Sequence, residues 1–394
     1  MSIAFLGFWA LLVNVSDVQA QLPFHGGRGP TFVRSAWNLE PGYLTLYTHT
    51  RFYGKVVNAP AAAPKTGTTA IAYWNVQGGA ALNYGISRHF EASLVPMIYQ
   101  DTNRSGKGFN IPDDIFLRLK IASLGQRGAT MSYGIELGTR FPTGKTHNIP
   151  FESYSAGKFS FGATGIVSFA RDPLYPEDGF SAHFNLGYWN HNDVGQILNP
   201  SSPAIAVTKM TQEFLYGASI IMPSEKFNFR LELFGSAFIN APPTTAFSRT
   251  PVAYITPGVS YKAYRWMSLD ASSDIRLSGQ PSATSVPARI FTLPSYSAWR
   301  VSLGAKITLL PTSLYSMSER DLLMRKAESR RELFEQIIKE QRETESAEAE
   351  LERIKDERRK AERELERLRR ILEGEARRQQ QDGQNGDDGS QPPQ

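Results

Sequence analysis

Acidic and basic side chains recur through the middle of this chain at alternate positions, opposite rows of apolar residues. Charges in an apolar environment persist only when they are paired or hydrated. We therefore expect these side chains to face an enclosed polar space, either as a ladder of cross-strand ion pairs that fills it or as a pore wall with a slight excess of cations. The residues are Arg51, Glu91, Arg118, Lys120, Glu136, Arg140, Glu213, Arg230, Glu232, Asp270, Asp274, Arg276, Arg300 and Lys306.

Residue patterns typical of catalysis or cofactor binding are weak. The six histidines are scattered without an HExxH motif, and the absence of cysteine excludes disulfides and thiolate metal sites. Gly106-Lys107-Gly108 lacks the rest of a phosphate-binding loop. A membrane β-barrel that hydrolyses lipids would need a Ser/His pair on its lipid-facing side. His49 and His183 instead fall on the polar phase of their segments. We expect no enzyme activity, no catalytic residue and no cofactor or metal.

The elements that carry the charges have a period of two residues. In Trp299–Leu310, WRVSLGAKITLL, apolar residues alternate with Arg300, Ser302, Gly304, Lys306 and Thr308, which predicts a strand with one apolar and one polar face. Most such segments have about ten residues, enough for a tilted strand to cross a bilayer. The predicted strands are 42–52, 69–84, 89–100, 113–122, 130–141, 157–170, 179–190, 211–222, 226–238, 251–262, 266–276 and 297–310.

The links between these strands alternate between two classes. Short links fall at 85–88, 123–129, 171–178, 223–225 and 262–265, and long polar links fall at 53–68, 101–112, 142–156, 191–210, 239–250 and 277–296. Short periplasmic turns and longer external loops are typical of outer-membrane barrels, and strands in lipid must close into a ring. We predict an all-β transmembrane barrel of about twelve antiparallel up-and-down strands over 42–310, with both strand termini on the periplasmic side. A secreted β-sandwich is the alternative.

The N-terminus resembles a secretory signal. An apolar run from Ile3 to Val13 precedes Val18-Gln19-Ala20, and small residues at −3 and −1 predict cleavage after Ala20, so that 1–20 is a signal peptide. The apolar run is too short for an anchor helix, which needs about 20 residues. Residues 21–41 follow as an N-terminal periplasmic segment, and the sequence leaves open whether Gln21–Leu39 plugs the lumen or hangs free.

After the barrel the pattern becomes helical. Residues 318–381 contain no proline and one glycine, and Leu351, Ile354, Leu365, Leu368 and Leu372 follow a heptad spacing. Arg and Lys interrupt the heptad, so the segment is a charged helix that is either solitary, supported by i,i+4 pairs, or part of a coiled coil. Residues 382–394 are polar and predicted to be disordered.

The closing strand carries a second pattern. Ser302, Gly304, Ile307 and Leu309 form a polar-x-Gly-x-x-apolar-x-apolar series that resembles the signal read by the barrel assembly machinery in final strands. That resemblance implies the machinery as a partner during insertion.

The middle of the chain resembles a known family. Residues 112–120, PDDIFLRLK, residues 134–145, GIELGTRFPTGK, and residues 84–91, YGISRHFE, are similar to motifs of the outer-membrane "MetA-pathway of phenol degradation" barrels. The likeness covers roughly residues 70–170. It implies a barrel that passes small, often aromatic or hydrophobic compounds, and it assigns no catalytic residues.

The charge distribution limits the possible functions. The net charge is −3 from Met317 onward and +8 before it, without clustering, so nucleic acid is not an expected partner. We expect a channel in the outer membrane of a Gram-negative bacterium, with outer-membrane lipid and small solutes as partners and the C-terminal helix in the periplasm. The alternative is a structural anchor whose helix tethers to peptidoglycan or a protein, or associates with itself as a coiled coil.

Overall fold

Antiparallel strands of alternating polarity form a closed ring. A computed structural model describes residues 27–60, 68–102, 109–125, 128–198, 206–279, 296–316 and 319–384. The strands are β1 (Leu44–Pro60), β2 (Thr68–Gly85), β3 (Phe90–Thr102), β4 (Phe109–Asn110), β5 (Ile115–Leu124), β6 (Met131–Phe141), β7 (Ser160–Ala170), β8 (Ser181–Asn190), β9 (Gln212–Pro223), β10 (Phe227–Asn240), β11 (Val252–Tyr264), β12 (Met267–Arg276) and β13 (Trp299–Leu310).

Each long strand pairs with its neighbours in the sequence, and the first pairs with the last. Residues Leu44–Phe52 of β1 pair with β13, while the opposite edge of β1 pairs with β2. The short β4 pairs only with the end of β3. The predicted fold class is confirmed: twelve long antiparallel strands close into a barrel, followed by a helix.

The first hairpin differs from the prediction. Residues 53–60, predicted as part of a long link, continue β1 and pair with β2 up to Pro60 opposite Thr68. The β13 partnership of β1 ends at Phe52, so the outer part of this hairpin is a two-stranded ribbon. Val56 and Val57 favour extended backbone because their branched side chains restrict χ1. The pairing therefore continues beyond the ring.

The two faces of the ring have opposite polarity. In β6, Met131, Tyr133 and Leu137 point outward and are exposed, whereas Ser132 and Glu136 point inward and are buried. Other strands show the same alternation, which places an apolar belt on the outside. Large exposed apolar side chains over the whole circumference suit hydrocarbon rather than water. The barrel is therefore a transmembrane one.

Two helices follow the barrel, α1 (Ser313–Ser316) and α2 (Glu319–Gln384). α2 has 66 residues, and from Arg320 onward they belong to a second unit of the chain. Neither described helix combines the length and the apolar character that crossing a membrane requires. The predicted signal peptide, 1–20, and residues 385–394 of the predicted tail lie outside the described residues, while 382–384 are helical.

The surface of α2 is charged. Exposed ion pairs run along it at i,i+4 spacing, and each contributes only a few tenths of a kcal/mol. They are Arg331–Glu335, Lys339–Glu343, Arg353–Glu357 and Arg358–Glu362. The heptad leucines Leu351 and Leu365 are exposed in this single chain. Both sequence interpretations, solitary helix and coiled coil, stay predictions.

The outward face provides a direct test of the membrane assignment. Leu137→Arg, in the middle of β6, should destabilise the barrel in lipid vesicles by about 2–4 kcal/mol, because a cation is most costly at the bilayer midplane. Leu277→Arg, an exposed leucine just after β12, is the matched control and should cost ~0–1 kcal/mol. Denaturant titration of refolded protein measures both. Equal costs would contradict the assignment of β6 to the midplane.

Candidate functional site: the filled lumen of the barrel

Residues 27–41, called the plug below, lie inside the barrel. Gly29 has a φ of +99°, and a Cβ on it would come within 2.8 Å of the Ser35 Cβ, so the segment folds back on itself. Arg28 donates to the Asn38 carbonyl at 3.1 Å and lies 3.7 Å from Glu177 in the short 171–180 turn. Both ends of the plug therefore lie at the short-turn end of the barrel, and its tip points into the lumen.

The tip of the plug is held by one buried carboxylate. The backbone amides of Thr31, Phe32 and Val33 donate to Glu232 of β10 at 2.8, 2.7 and 2.9 Å. Successive amides aimed at one anion form a nest, which favours negative charge. The Phe32 ring stacks on Phe234 with 4.1 Å between centroids. Glu232 is therefore a wall residue whose partner is the plug backbone.

The middle of the plug is held by Arg34. Its Nε lies 2.8 Å from Glu136 of β6, and its Nη1 donates to Thr164 of β7 at 2.6 Å. Asn185 of β8 bonds the Arg34 backbone twice, accepting from its amide at 2.5 Å and donating to its carbonyl at 2.9 Å. An irregular segment cannot pair its own backbone groups, and buried amides need partners. The strands of the barrel wall supply partners for the buried amides of the plug.

Near the short-turn end the plug meets a buried ion pair. Glu91 accepts from the Leu39 amide at 2.7 Å, and Lys120 lies 3.0 Å from Glu91 and 3.4 Å from the Trp37 carbonyl. The Ala36 amide donates to Ser168 at 2.8 Å. The plug thus contacts wall residues on most sides of the ring.

At the opposite end, residues 142–157, called the lid below, cross the lumen between β6 and β7. Asn148 of the lid donates to the Thr245 carbonyl at 3.1 Å and accepts from the Phe247 amide at 2.9 Å, both in the loop after β10. Tyr154 donates to Asp193, after β8, at 2.6 Å. Described residues of three long loops therefore meet at the second mouth of the barrel.

One lid side chain binds strands outside the lid's own hairpin. Glu152 accepts from Asn75 Nδ2 at 2.7 Å and Gln77 Nε2 at 3.2 Å, both on β2, and lies 3.9 Å from Arg51 Nη2 on β1. Arg51 in turn donates to Gln77 Oε1. Both oxygens of the Glu152 carboxylate are engaged by wall residues. The lid is thus attached through a carboxylate to β1 and β2, which β3 and β5 separate from its own hairpin.

Plug and lid enclose a cavity of about 80 Å³. Arg34 borders it from the plug, Glu152 and Tyr154 from the lid, and Phe116 and Trp189 from the wall. Engineered cavities of about 150 Å³ accommodate benzene, and a water molecule takes about 30 Å³. The space between plug and lid is smaller than such a benzene-sized cavity, so an aromatic solute would need the lid or the plug to move.

The charged side chains that the sequence predicts to face inward are buried or half-buried, and most lie in clusters. Glu91 and Lys120 lie beside the plug base, and Arg118 lies 3.7 Å from Glu136. Four of the other charges lie close to an ionisable partner: Arg230 is 2.7 Å from Asp270, Arg300 is 2.8 Å from Asp274, Arg140 is 2.6 Å from Asp114 and Glu213 is 3.0 Å from His191. Two others donate to backbone carbonyls, Lys306 to that of Gly27 at 2.9 Å and Arg276 to that of Tyr296 at 3.0 Å. Their role in lining a pore stays a prediction.

Sequence reasoning missed four residues that matter here. Asn75, Gln77 and Asn185 fall on the inward phase of their strands but carry no charge, so they were not singled out. Glu152 is the only acidic residue of residues 142–157, and it lies in a predicted long link where no period assigns a direction.

The histidines contribute no lipid-facing site among the described residues. His183 lies in the lumen with its Nδ1 2.8 Å from Ser168 Oγ, and His49 is buried inside β1. This Ser/His pair faces the plug rather than the bilayer. A lipolytic barrel therefore gains no support.

Comparisons with known proteins give only distant similarity. No family model matches the chain, and no curated protein matches it. Among solved structures, an outer membrane channel from Pseudomonas putida F1 is 9% identical with a TM-score of 0.42, over 70% of this chain and 98% of that one. The NanC porin is 11% identical with a TM-score of 0.42, over 68% and 100%. The CymD monoaromatic hydrocarbon channel is 12% identical with a TM-score of 0.34, over 69% and 89%. Similarity this low carries no argument about function.

The base of the lid predicts a pH dependence. Burial, and then the neighbouring Asp114, raises the pKa of Asp113 from 3.8 to about 7. Gly144 of the lid packs on Asp113, where a Cβ would lie 2.7 Å from Oδ1. Because the pKa of Asp113 is raised in the docked state, the protonated form of Asp113 stabilises the docked lid. This stabilisation is complete below about pH 4 and is lost as the pH rises through about 7. Conductance in planar bilayers should therefore rise several-fold between pH 5 and pH 8.

Two variants test whether Asp113 is responsible. Asp113→Asn keeps the shape without the charge and should give low conductance at both pH values. Asp172→Asn, in the turn at the other end of the barrel, should leave the wild-type pH profile unchanged. An Asp113→Asn variant that keeps the wild-type profile would contradict this account. The pKa of the neighbouring His147 shifts in the opposite direction, because burial lowers it.

Proposed function

We propose that the protein is an outer-membrane channel of a Gram-negative bacterium that passes small solutes when the plug and the lid move. The observation that supports this proposal is that two segments of the chain fill the lumen. Eight strands enclose just enough room for their own side chains, whereas the space inside these twelve strands is filled by two segments held through hydrogen bonds and ion pairs. Segments held in this way can leave without breaking the ring.

We propose that the solute is a small molecule with an aromatic or hydrophobic part. The resemblance of residues 70–170 to phenol-degradation barrels implies such compounds. Phe116, Trp189 and Tyr154 line the cavity together with Arg34, Arg51, Arg118 and Arg140. The wall thus offers both aromatic contact and charge, so the charged lumen would select among solutes rather than exclude them all.

The orientation follows from the links. The short connections lie at one end of the ring and the long ones at the other, and external loops are the longer ones in such barrels. We place the lid outside the cell and the plug entrance, with α2, in the periplasm. The barrel assembly machinery and outer-membrane lipid are the partners that this placement implies.

A disulfide between plug and wall tests the channel. A Cβ on Gly217 of β9 would lie 3.7 Å from the Val33 Cβ, close to the ~3.8 Å typical of disulfides. Because the chain has no cysteine, the Val33→Cys/Gly217→Cys variant introduces one defined bond. Solute uptake into liposomes should fall to background when this variant is oxidised and return on reduction.

Each single cysteine variant serves as the control and should respond to neither oxidant nor reductant. Equal uptake by the oxidised and reduced double variant would show that the plug does not obstruct the path. No uptake by any form, wild type included, would contradict the channel itself.

A second function is favoured by the length of α2. Its 66 residues correspond to about 100 Å at 1.5 Å per residue, with a charged surface along its described side chains. We propose as the alternative that the barrel anchors this helix, which tethers to peptidoglycan or a periplasmic protein or forms a coiled coil.

Truncation after Ser316 separates the two functions. If the barrel works as a channel, the truncated protein should retain wild-type solute uptake in liposomes. If the helix is the working part, cells with the truncated protein should show envelope defects, such as detergent sensitivity, while uptake is unchanged. Loss of uptake with a normal envelope would contradict the anchor.

A further inference from the structure

We propose that Arg51, Asn75 and Gln77 form a binding site for the carboxylate of a transported solute, and that Glu152 of the lid occupies this site in the closed state. The inference rests on the proposed channel function and names the class of solute, small aromatic carboxylates. These three wall residues are called the cradle below.

The cradle is built to hold both oxygens of a carboxylate. Asn75 Nδ2 donates to one Glu152 oxygen at 2.7 Å, and Gln77 Nε2 donates to the other at 3.2 Å, where Arg51 adds a positive charge 3.9 Å away. Asn75 is further oriented by Thr102, whose Oγ1 accepts from the same Nδ2 at 2.8 Å. Two amide donors and a cation directed at one point recognise a carboxylate.

The donors and the acceptor stand on elements of different rigidity. Arg51 and Gln77 face each other across paired strands of the ring, and all three cradle residues are buried. Glu152 stands on a loop. When the lid moves, the carboxylate leaves and the cradle stays, because ring strands are held along both edges and loops are not. After the lid has moved away, the cradle therefore still presents its hydrogen-bond donors.

An emptied cradle favours an anionic replacement. Leaving a buried guanidinium without its carboxylate costs free energy, because the charge loses the partner that offset its desolvation. Solvent inside a narrow lumen replaces that partner only in part. The carboxylate of a solute restores the same contacts, whereas a neutral or cationic solute does not. Glu152 thus acts as a tethered competitor for the solute.

The rest of the cavity indicates what the carboxylate is attached to. Phe116, Trp189 and Met97 line the cavity that Arg51 and Gln77 of the cradle also border. The Oε1 atom of Gln100, a fully buried lining residue, accepts no hydrogen bond from the part of the chain that the structure describes. An aromatic ring with a carboxylate and, at another position, a hydroxyl would use all these groups. Benzoate and 4-hydroxybenzoate are the probes.

The other carboxylates at the cavity already have partners. Glu213 lies 3.0 Å from His191 and accepts from Ser236 at 3.2 Å, and Asp113 accepts from Asn110 at 3.1 Å. These acids are held away from the cradle by their own contacts and do not occupy the site.

Chemical rescue tests the cradle. Glu152→Ala removes the tethered carboxylate, so its conductance in planar bilayers should exceed that of the wild type. Acetate should lower this conductance towards the wild-type level by occupying the cradle, whereas acetamide and chloride at equal ionic strength should not. Adding Arg51→Gln to Glu152→Ala should weaken the acetate effect roughly tenfold, the factor expected for one contact to a charged group.

The controls separate a specific effect from a general one. Lys145→Ala, at an exposed position of the same lid, should conduct like the wild type with and without acetate. Glu152→Gln keeps the side-chain shape and should also conduct more than the wild type if the charge holds the lid. An acetate effect equal to that of acetamide, or one that persists unchanged in the Arg51→Gln background, overturns the cradle.

Solute selectivity distinguishes failure of this inference from failure of the channel. Liposome uptake by the wild type should favour benzoate over benzamide, its neutral isostere, and over benzylamine, and Arg51→Gln should remove that preference. Equal uptake of the three overturns the carboxylate class and leaves the channel standing. Absence of uptake for all three, in the wild type and in Glu152→Ala, overturns the channel and the inference with it.

Discussion

Hydrocarbon offers no hydrogen-bonding partner, so every backbone group of a spanning strand must be paired within the protein. The pairing of β1 with β13 satisfies this requirement because it removes the two edges that an open sheet would expose. Closure then divides all side chains between lipid and lumen at a period of two. The apolar belt, the polar interior and the need to fill that interior are consequences of this one ring.

The interior charges specify positions more than they add stability. A buried ion pair pays a desolvation cost that can exceed its Coulomb attraction, and loss of one partner is strongly destabilising. Glu232 and Glu136 are buried against the plug, one by three backbone amides and the other by Arg34. The plug can therefore occupy only the register in which these carboxylates are satisfied. Irregular backbone is tolerated at membrane depth for the same reason, because it is enclosed by protein.

The strands and their faces were predictable because alternation is local: Glu136 and Leu137 reveal opposite faces from their neighbours alone. The extension of β1 beyond Phe52 was not, because prolines and alanines near Pro60 resemble a loop while the pairing depends on β2. The plug contacts depend on residues as far apart in sequence as Thr31 and Glu232. Nothing in an irregular segment encodes such a partner, and residues 21–41 carry no period from which to infer one. The position of Glu152 was beyond prediction for the same reason.

In the proposed channel, the plug and the lid obstruct the lumen from opposite ends, with the small cavity between them. For barriers arranged in series, the leak depends on the probability that both are open together. If each were open about 1% of the time and independently, the through-path would exist about 0.01% of the time. Each obstruction then needs only a modest free energy difference between its two positions. An envelope can thus keep a wide barrel nearly impermeable without either segment being held so tightly that it never moves.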